Sequence, residues 1–197
     1  MAEHSWDERF ADVNYAYGTQ PNNYLRAQAS RLRPGMTALS IADGEGRNGV
    51  WLAAQGLEVL SVDSSAVGLA KAQSLASVQG VSLSTIQADL LEWRWPPGSF
   101  DVIASIYMHF KPEVRPRMHQ AIINSLRPGG LVILEAFNQR QPGRGSGSPV
   151  YDRDMLQADF ADELRVLELT VGMVHLEEGA FHRGAAEVVR FLGQKPE

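Results

Sequence analysis

The chain is predicted to be an α/β protein built on a mainly parallel sheet, and three observations carry that expectation. Short apolar runs of strand length alternate with helical stretches from about Thr37 to the end, the pattern of βα units feeding a sheet. Several of the runs lack a polar face, as central strands covered by helices on both sides do. The last two strand-like segments have only a short connection between them, which suits an antiparallel pair. At 197 residues and 21.6 kDa the length fits one domain, 1–197, large enough to bury about 70% of its unfolded surface.

The elements follow in order. Thr37–Ala42 is the first strand, and 57–62 (LEVLSV), 81–87 (VSLSTIQ), 100–106 (FDVIASI) and 131–137 (LVILEAF) are the next four. Between them 47–55 and 64–79 are predicted helices, the second with Leu69, Ala72, Leu75 and Ala76 on one side and Ser64 or Ser65 as its cap. A third helix over 113–126 shows the stripe Val114, Met118, Ala121, Ile122 and Leu126, and Pro116 belongs in its first turn, so it starts near Pro112. A short helix over 154–162 and two strands, 164–174 and 185–192, close the chain. Two segments stand outside this rhythm. Residues 1–30 carry Trp6, Phe10, Tyr15, Tyr17 and Tyr24 and are expected to form a helical cover. The stretch 138–149 (NQRQPGRGSGSP) is expected to be a mobile loop at a strand tip.

Composition removes several function classes. Without cysteine there is no disulfide, thiolate nucleophile or Cys-ligated metal, and no His/Asp/Glu cluster has ligand spacing, so no metal is expected. The 18 Lys+Arg against 23 Asp+Glu give a net charge of −5, contrary to the basic footprint of a nucleic-acid binder. Acids occupy the N-terminus where a signal peptide would be apolar, and no 18-residue apolar run is present, so a cytoplasmic protein without a membrane partner is expected.

The strongest motif is Ala42-Asp43-Gly44-Glu45-Gly46-Arg47-Asn48-Gly49, placed between the first strand and a helix. Glycines there let backbone approach a ligand, and the helix start offers unpaired N–H groups to an anionic or adenosine-bearing molecule. Gly44-x-Gly46-x-x-Gly49 matches a dinucleotide fingerprint, and Asp63 lies 19 residues beyond Gly44, where a ribose-binding acid belongs. By itself this pattern does not tell a nicotinamide dinucleotide from another adenosine cofactor. Tyr107-x-x-x-Lys111 has the spacing of a dehydrogenase pair, but that spacing works on a helix, and here it continues a strand into Pro112.

Three further features narrow the reading: Ala88-Asp89-Leu90 after the third strand, Leu126-Arg127-Pro128-Gly129-Gly130 before the fifth, and the closing strand pair. With them the sequence resembles the class I S-adenosylmethionine-dependent methyltransferases, and within these the tellurite-resistance and thiopurine-methyltransferase-like group. The resemblance runs from WDERF and YAYGTQPNNYL through IADGEGRNGVWLA, VLSVDSSAVGLAKA, ADLLEW and LRPGGLVILEAF to FHRGAAEVVRFL. It implies a Rossmann-like sheet of seven strands, mostly parallel with the last antiparallel, and S-adenosylmethionine as cofactor. It further implies that Ala42, Asp43, Gly44, Glu45, Gly46 and Asn48 hold the methionine portion, Asp63 the ribose hydroxyls, Asp89 with the Leu90 backbone the adenine, and that Ile106 and Tyr107 underlie the sulfonium, with Ser64 among the cofactor-binding residues and Tyr17 in the cover. Two positions depart from the class: Ser40 stands where an acid is usual and Ala42 where the first glycine is, and Asp43 is the substitute expected to meet the cofactor's ammonium.

Methyl transfer is an in-line displacement, so positioning and exclusion of water come first, and a base is needed only when the acceptor arrives protonated. Substrate-side candidates are Tyr107, His109, Tyr151, His175, His182 and Arg183. The His182-Arg183 pair matches one that the tellurite-resistance family carries near its final strand, which implies binding or activation of the acceptor. The expected function is methylation of a small molecule, a thiol, a chalcogen oxyanion or a similar nucleophile. The alternatives are a nicotinamide-dependent oxidoreductase, resting on the glycine match, and a silent adenosylmethionine-binding module, resting on Ser40 and Ala42.

Overall fold

The computed structural model describes residues 6–138 and 150–197. The Gly/Pro/Ser-rich stretch expected as a loop lies outside these residues apart from Asn138, as do the first five residues of the expected cover. The described residues carry seven strands, β1 (Thr37–Ile41), β2 (Glu58–Asp63), β3 (Ser84–Gln87), β4 (Phe100–Ile106), β5 (Leu126–Phe137), β6 (Arg165–Glu178) and β7 (His182–Gln194). Six α-helices accompany them: α1 (Trp6–Phe10), α2 (Asn23–Ala27), α3 (Arg47–Ala54), α4 (Ala66–Gln79), α5 (Arg115–Ser125) and α6 (Arg153–Phe160). The strand order is β3-β2-β1-β4-β5-β7-β6, the class I methyltransferase fold that the resemblance implies.

By compactness the described residues divide into two units. The first runs up to Trp93 and takes in Glu177–Arg183; the second comprises Arg94–Leu176 and Gly184–Glu197.

In the first unit β1 and β2 pair in parallel from Thr37↔Glu58 to Ile41↔Val62, and β2 pairs in parallel with β3 from Leu60↔Ser84 to Asp63↔Gln87. The predicted α4 stripe is the buried one, Leu69, Ala72, Leu75 and Ala76. Ser65 is its cap, its hydroxyl accepting from Gly68 N at 2.9 Å, and Gly80 ends the helix at φ 69°. The third strand is shorter than the sequence suggests and largely exposed, because it is the sheet's edge and not an interior strand. Its Ser84 and Gln87 therefore need no apolar partner.

In the second unit β4 and β5 run parallel with a register shift between Phe100↔Leu126 and Val102↔Leu131. Arg127-Pro128-Gly129-Gly130 fills that irregularity, so β5 begins five residues before the apolar run that announces it. β7 is antiparallel to β5 from Leu131↔Gln194 to Phe137↔Val188, as the resemblance implies for the last strand, and both final strands are longer than their apolar cores.

Helix α5 starts at Arg115 and not near Pro112, with Pro116 in its first turn. Lys111–Val114 instead makes a separate turn, Lys111 O accepting from Val114 N at 3.1 Å. The buried face is also rotated from the expected one: His119 and Ile123 are buried with Met118 and Ile122. A polar residue takes a core position because Asp159 of α6 receives it, His119 Nδ1 lying 2.8 Å from Asp159 Oδ2, which also accepts from Arg115 Nε at 2.6 Å. Burial first, against the pull of Asp159, holds the His119 imidazole below its ordinary pKa, and the neutral ring stacks on Phe160 at 4.6 Å.

Candidate functional site

The turn after β1 is built by three backbone departures from ordinary geometry. Ala42 has φ 48°, Gly44 55° and Gly46 85°, the left-handed region that costs a residue with a side chain roughly 1–2 kcal/mol. Ala42 thus occupies a place where glycine would be relaxed, which is the physical content of the class's usual glycine there. Ala42→Gly is expected to raise stability by about 1 kcal/mol without altering the turn, read as a shift of the urea midpoint at constant slope. Gly46 has no room for a side chain either, since a Cβ would collide with Ala72 of α4.

Asp43 is the keystone of this turn. Its Oδ1 accepts from Ser40 Oγ at 2.7 Å and Gly49 N at 3.1 Å, and its Oδ2 accepts from Ser61 Oγ at 2.5 Å. Only 7% of the residue is exposed. Burial, reinforced by the nearby charge of Asp63 and opposed by those three donors, pushes its carboxyl above the usual aspartate range. With both oxygens engaged inside the turn, Asp43 is a structural acid, and this geometry gives the ammonium role expected of it no support. Ser40, one of the two departures from the class pattern, is the other half of the same bond, so it forms a buried pair with Asp43.

Asp63, ending β2, reaches across to the turn. Its Oδ2 accepts from Gly44 N and its Oδ1 from Ser65 N, both at 2.8 Å. The carboxylate therefore fixes the glycine turn relative to the start of α4, and its remaining lone pairs can still accept hydroxyl donors. Burial pushes its carboxyl up, with the amides of Ser65 and Gly44 acting against that rise. Ser64 is exposed, and its carbonyl accepts from Gln87 Nε2 at 3.2 Å. Asp89 is exposed and turns Oδ1 onto Leu91 N at 2.9 Å, beside the buried Leu90.

The N-terminal segment lies against this turn. The ring of Phe10 stands where a Cβ on Gly44 would come within 2.9 Å of it. Glu45, 4% exposed, accepts from Ala16 N at 2.7 Å and pairs with Lys71, whose Nζ also donates to Asp12 O and Asn14 O at 2.8 Å. Glu45 thus spends its charge on pinning residues 10–16. Asn48 Oδ1 accepts from Asn22 N at 2.9 Å, while Asn22 Oδ1 caps α2. Tyr17 packs its ring 6.3 Å from Phe10 and 4.5 Å from His182.

His182 is mostly buried at the start of β7, with Nδ1 3.4 Å from Glu178 Oε2. That carboxylate also accepts from Arg47 Nη2 at 2.9 Å and from Asn22 Nδ2 at 3.1 Å. Burial would raise Glu178, yet the His182 hydrogen bond and the Arg47 charge outweigh it and hold the carboxyl below its ordinary value. Arg183 is exposed and donates Nε to Gly179 O at 2.8 Å. The first unit therefore brings the glycine turn, Asp63, Tyr17 and His182 into one connected set. Arg47, Glu178 and Asn22 complete it; Arg47 stands in the glycine motif without being one of its fixed positions, and Glu178 and Asn22 belong to none. The available signals were slight: Asn22 precedes an apolar pair as a cap would, and Arg47 opens the helix after the last turn glycine.

The remaining predicted residues belong to the second unit. Ile106 is buried at the end of β4. Tyr107 follows with φ 56°, a strained conformation of the kind found at functional sites. Its hydroxyl donates to Glu135 Oε1 at 2.8 Å and its amide to Glu135 O at 2.7 Å, while Arg190 Nε donates to Glu135 Oε2 at 2.6 Å. His109 Nε2 accepts from Phe137 N at 3.0 Å. An amide can only donate, so the ring proton sits on Nδ1 and Nε2 is occupied; in this arrangement His109 has no free lone pair with which to act as a base. Tyr151 is 1% exposed with its hydroxyl accepting from Phe110 N at 2.7 Å, a core residue and not a substrate-side one. His175 is exposed on β6.

Residues 38–130 match a family model described as a methyltransferase domain. That match takes in β1 to the start of β5, and the strand order is that of the class I methyltransferase fold. Over 111 residues it is 31% identical to the ribosomal protein L11 methyltransferase of Thermus thermophilus, covering 56% of this chain and 42% of that protein. Over 119 residues it is 32% identical to the glycine/sarcosine N-methyltransferase of Halorhodospira halochloris, covering 56% of this chain and 43% of that protein. The chain spans less than half the length of either relative. Among solved structures, TehB from Haemophilus influenzae superposes with a TM-score of 0.75 at 19% identity over 96% of this chain and 66% of its own. The N-methyltransferase NodS from Bradyrhizobium japonicum, solved with S-adenosylhomocysteine, gives 0.72 at 15% identity over 98% and 97%. At such identities these two likenesses are likenesses of fold.

The side chains present fit an adenosine cofactor in kind: Asp63 and Asp89 carry carboxylate oxygens of the sort that hydroxyl and amino donors need, and Arg47 holds a buried Nη1 without a hydrogen-bond partner among the described residues.

Proposed function

We propose that the protein transfers the methyl group of S-adenosylmethionine to a small nucleophile, a thiol or a chalcogen oxyanion first among them. One observation carries this reading: Asp63, at the carboxyl end of β2, is hydrogen-bonded to Gly44 N of the turn that follows β1. Acid and turn thus stand together at the edge of a parallel sheet where adenosine cofactors are held. In this reading Asp63 receives the ribose hydroxyls, Asp89 and the Leu90 backbone the adenine, and the turn from Ala42 to Asn48 the methionine portion. When bound, S-adenosylmethionine supplies a methyl carbon on a positively charged sulfur.

The chain's own work is to bind, align and exclude water. Phe10 and Tyr17 supply the apolar cover, and Glu45 and Asn48 tie their segment down. Glu178 steadies His182 at Nδ1, and an acceptor that arrives protonated needs a base of that kind; a thiolate or oxyanion needs none. Arg183 is the exposed cation beside it, suited to drawing in an anionic acceptor. A small acceptor is in keeping with the glycine and sarcosine named for one relative.

The test is a screen for release of S-adenosylhomocysteine over thiols, selenite, tellurite and small amines. Turnover confined to thiols or chalcogen oxyanions is the expected result. Turnover of amines alone would move the acceptor class, and no turnover of any of them would overturn the small-molecule assignment.

A further inference from the structure

Arg47 is the least explained side chain of the first unit. It opens α3 directly behind Gly46 and its side chain is only 8% exposed. One amine, Nη2, donates to Glu178. The other, Nη1, is shut off from solvent and has no hydrogen-bond partner among the described residues. Buried donors without an acceptor are rare in folded proteins and call for a specific reason.

The neighbours do not supply one. Glu178 is a single carboxylate divided among Arg47, Asn22 and His182, so it meets one edge of the guanidinium and leaves the other edge unmatched. Lysine would satisfy the Glu178 pairing with a point charge. A guanidinium additionally holds a second N–H in fixed geometry beside the first, which is the arrangement that recognises planar or tetrahedral oxyanions. Arg47 and His182 approach the same oxygen of Glu178, so whatever meets Nη1 lies close to the histidine and to the Tyr17 ring packed on it. The sequence motif draws attention to Arg183 instead, yet that residue is exposed and spends its Nε on Gly179 O.

We propose that Arg47 is an oxyanion-binding residue of this site, its Nη1 receiving one oxygen of a ligand carboxylate or oxyanion beside the Glu178–His182 pair. The proposal rests on the methyltransferase reading, which offers two sources of that chemistry: the carboxylate of the cofactor's methionine portion and the charged group of an anionic acceptor.

The experiment separates them. S-Adenosylhomocysteine, 5′-methylthioadenosine (the same thioether without the amino acid's carboxylate) and selenite are titrated calorimetrically into the wild-type protein and two variants. Arg47→Lys keeps the charge opposite Glu178 and removes the fork; Arg47→Met combined with Glu178→Gln removes both charges together, so no lone charge is left buried. If the cofactor carboxylate is the ligand, both variants weaken S-adenosylhomocysteine by about tenfold or more, the equivalent of one charge-assisted hydrogen bond, and leave methylthioadenosine unchanged. If the acceptor is the ligand, both adenosine compounds bind as before, and selenite binding to the S-adenosylhomocysteine complex weakens by about the same factor. Unchanged affinities for all three in both variants overturn the role of Arg47 while the methyltransferase reading stands. Failure of the wild-type protein itself to bind S-adenosylhomocysteine overturns that reading, and the proposal with it.

Discussion

Asp63→Ala is expected to lower the affinity for S-adenosylhomocysteine by about a hundredfold or more, since two charge-assisted hydrogen bonds to a ribose are together worth roughly 3 kcal/mol. The loss has a second source. Asp63 is 6% exposed and accepts from Gly44 N and Ser65 N, so its removal strands two amides and frees the glycine turn from α4. Asp63→Asn repairs little, because one of its two positions becomes an amine facing an amide donor. Calorimetric titration measures the binding loss, and thermal unfolding separates it from any loss of the fold. Binding also has an acid limit: burial pushes this carboxyl up, so affinity that needs its ionised form weakens earlier on acidification than an ordinary aspartate would dictate.

Asp43→Ala is expected to destabilise the protein by about 3 kcal/mol or more, the range for breaking a buried hydrogen-bonded network. Ser40 Oγ, Ser61 Oγ and Gly49 N all lose their acceptor at once. Asp43→Asn is expected to change stability by less than about 1 kcal/mol. Its oxygen can keep Ser40 and Gly49, and its amine can donate to Ser61, whose hydroxyl accepts as readily as it donates. The two variants also differ from wild type in pH dependence. The folded carboxyl lies above its unfolded value, so its contribution to stability is full below the unfolded pKa and is lost as pH rises through the folded one. Urea midpoints of wild type should therefore fall relative to Asp43→Asn between acid and neutral pH. S-Adenosylhomocysteine affinity unchanged in Asp43→Asn is the companion result, as expected of an acid that faces inward; a large loss would restore the ammonium role.

Much of the first unit is legible in the sequence because its signals are local. The α4 stripe, the Ser65 cap and the turn glycines each act over a few residues, and each appears where the spacing predicts. What escapes is set by partners far along the chain. His119 lies outside the predicted stripe of α5, yet Asp159 receives it in the core, and that one pair rotates the buried face of the helix. Asp43 reads as a ligand acid because nothing local reveals Ser61 behind it. Arg47 and Glu178 are separated by 131 residues, and neither looks remarkable alone as a charged residue beside a glycine turn. The edge position of β3 is a property of strand order, which the run VSLSTIQ does not contain. His109 shows the same limit in the second unit: its residue type suggests a base, and its backbone donor, Phe137 N, removes the lone pair.

The most direct measurement is a crystal structure of the protein grown with saturating S-adenosylhomocysteine. The account predicts the ribose hydroxyls on the Asp63 carboxylate, the adenine beside Asp89 and Leu90, and the amino-acid portion along the turn from Ala42 to Asn48. An adenosine held by other side chains, or crystals of the saturated protein without it, would contradict the account.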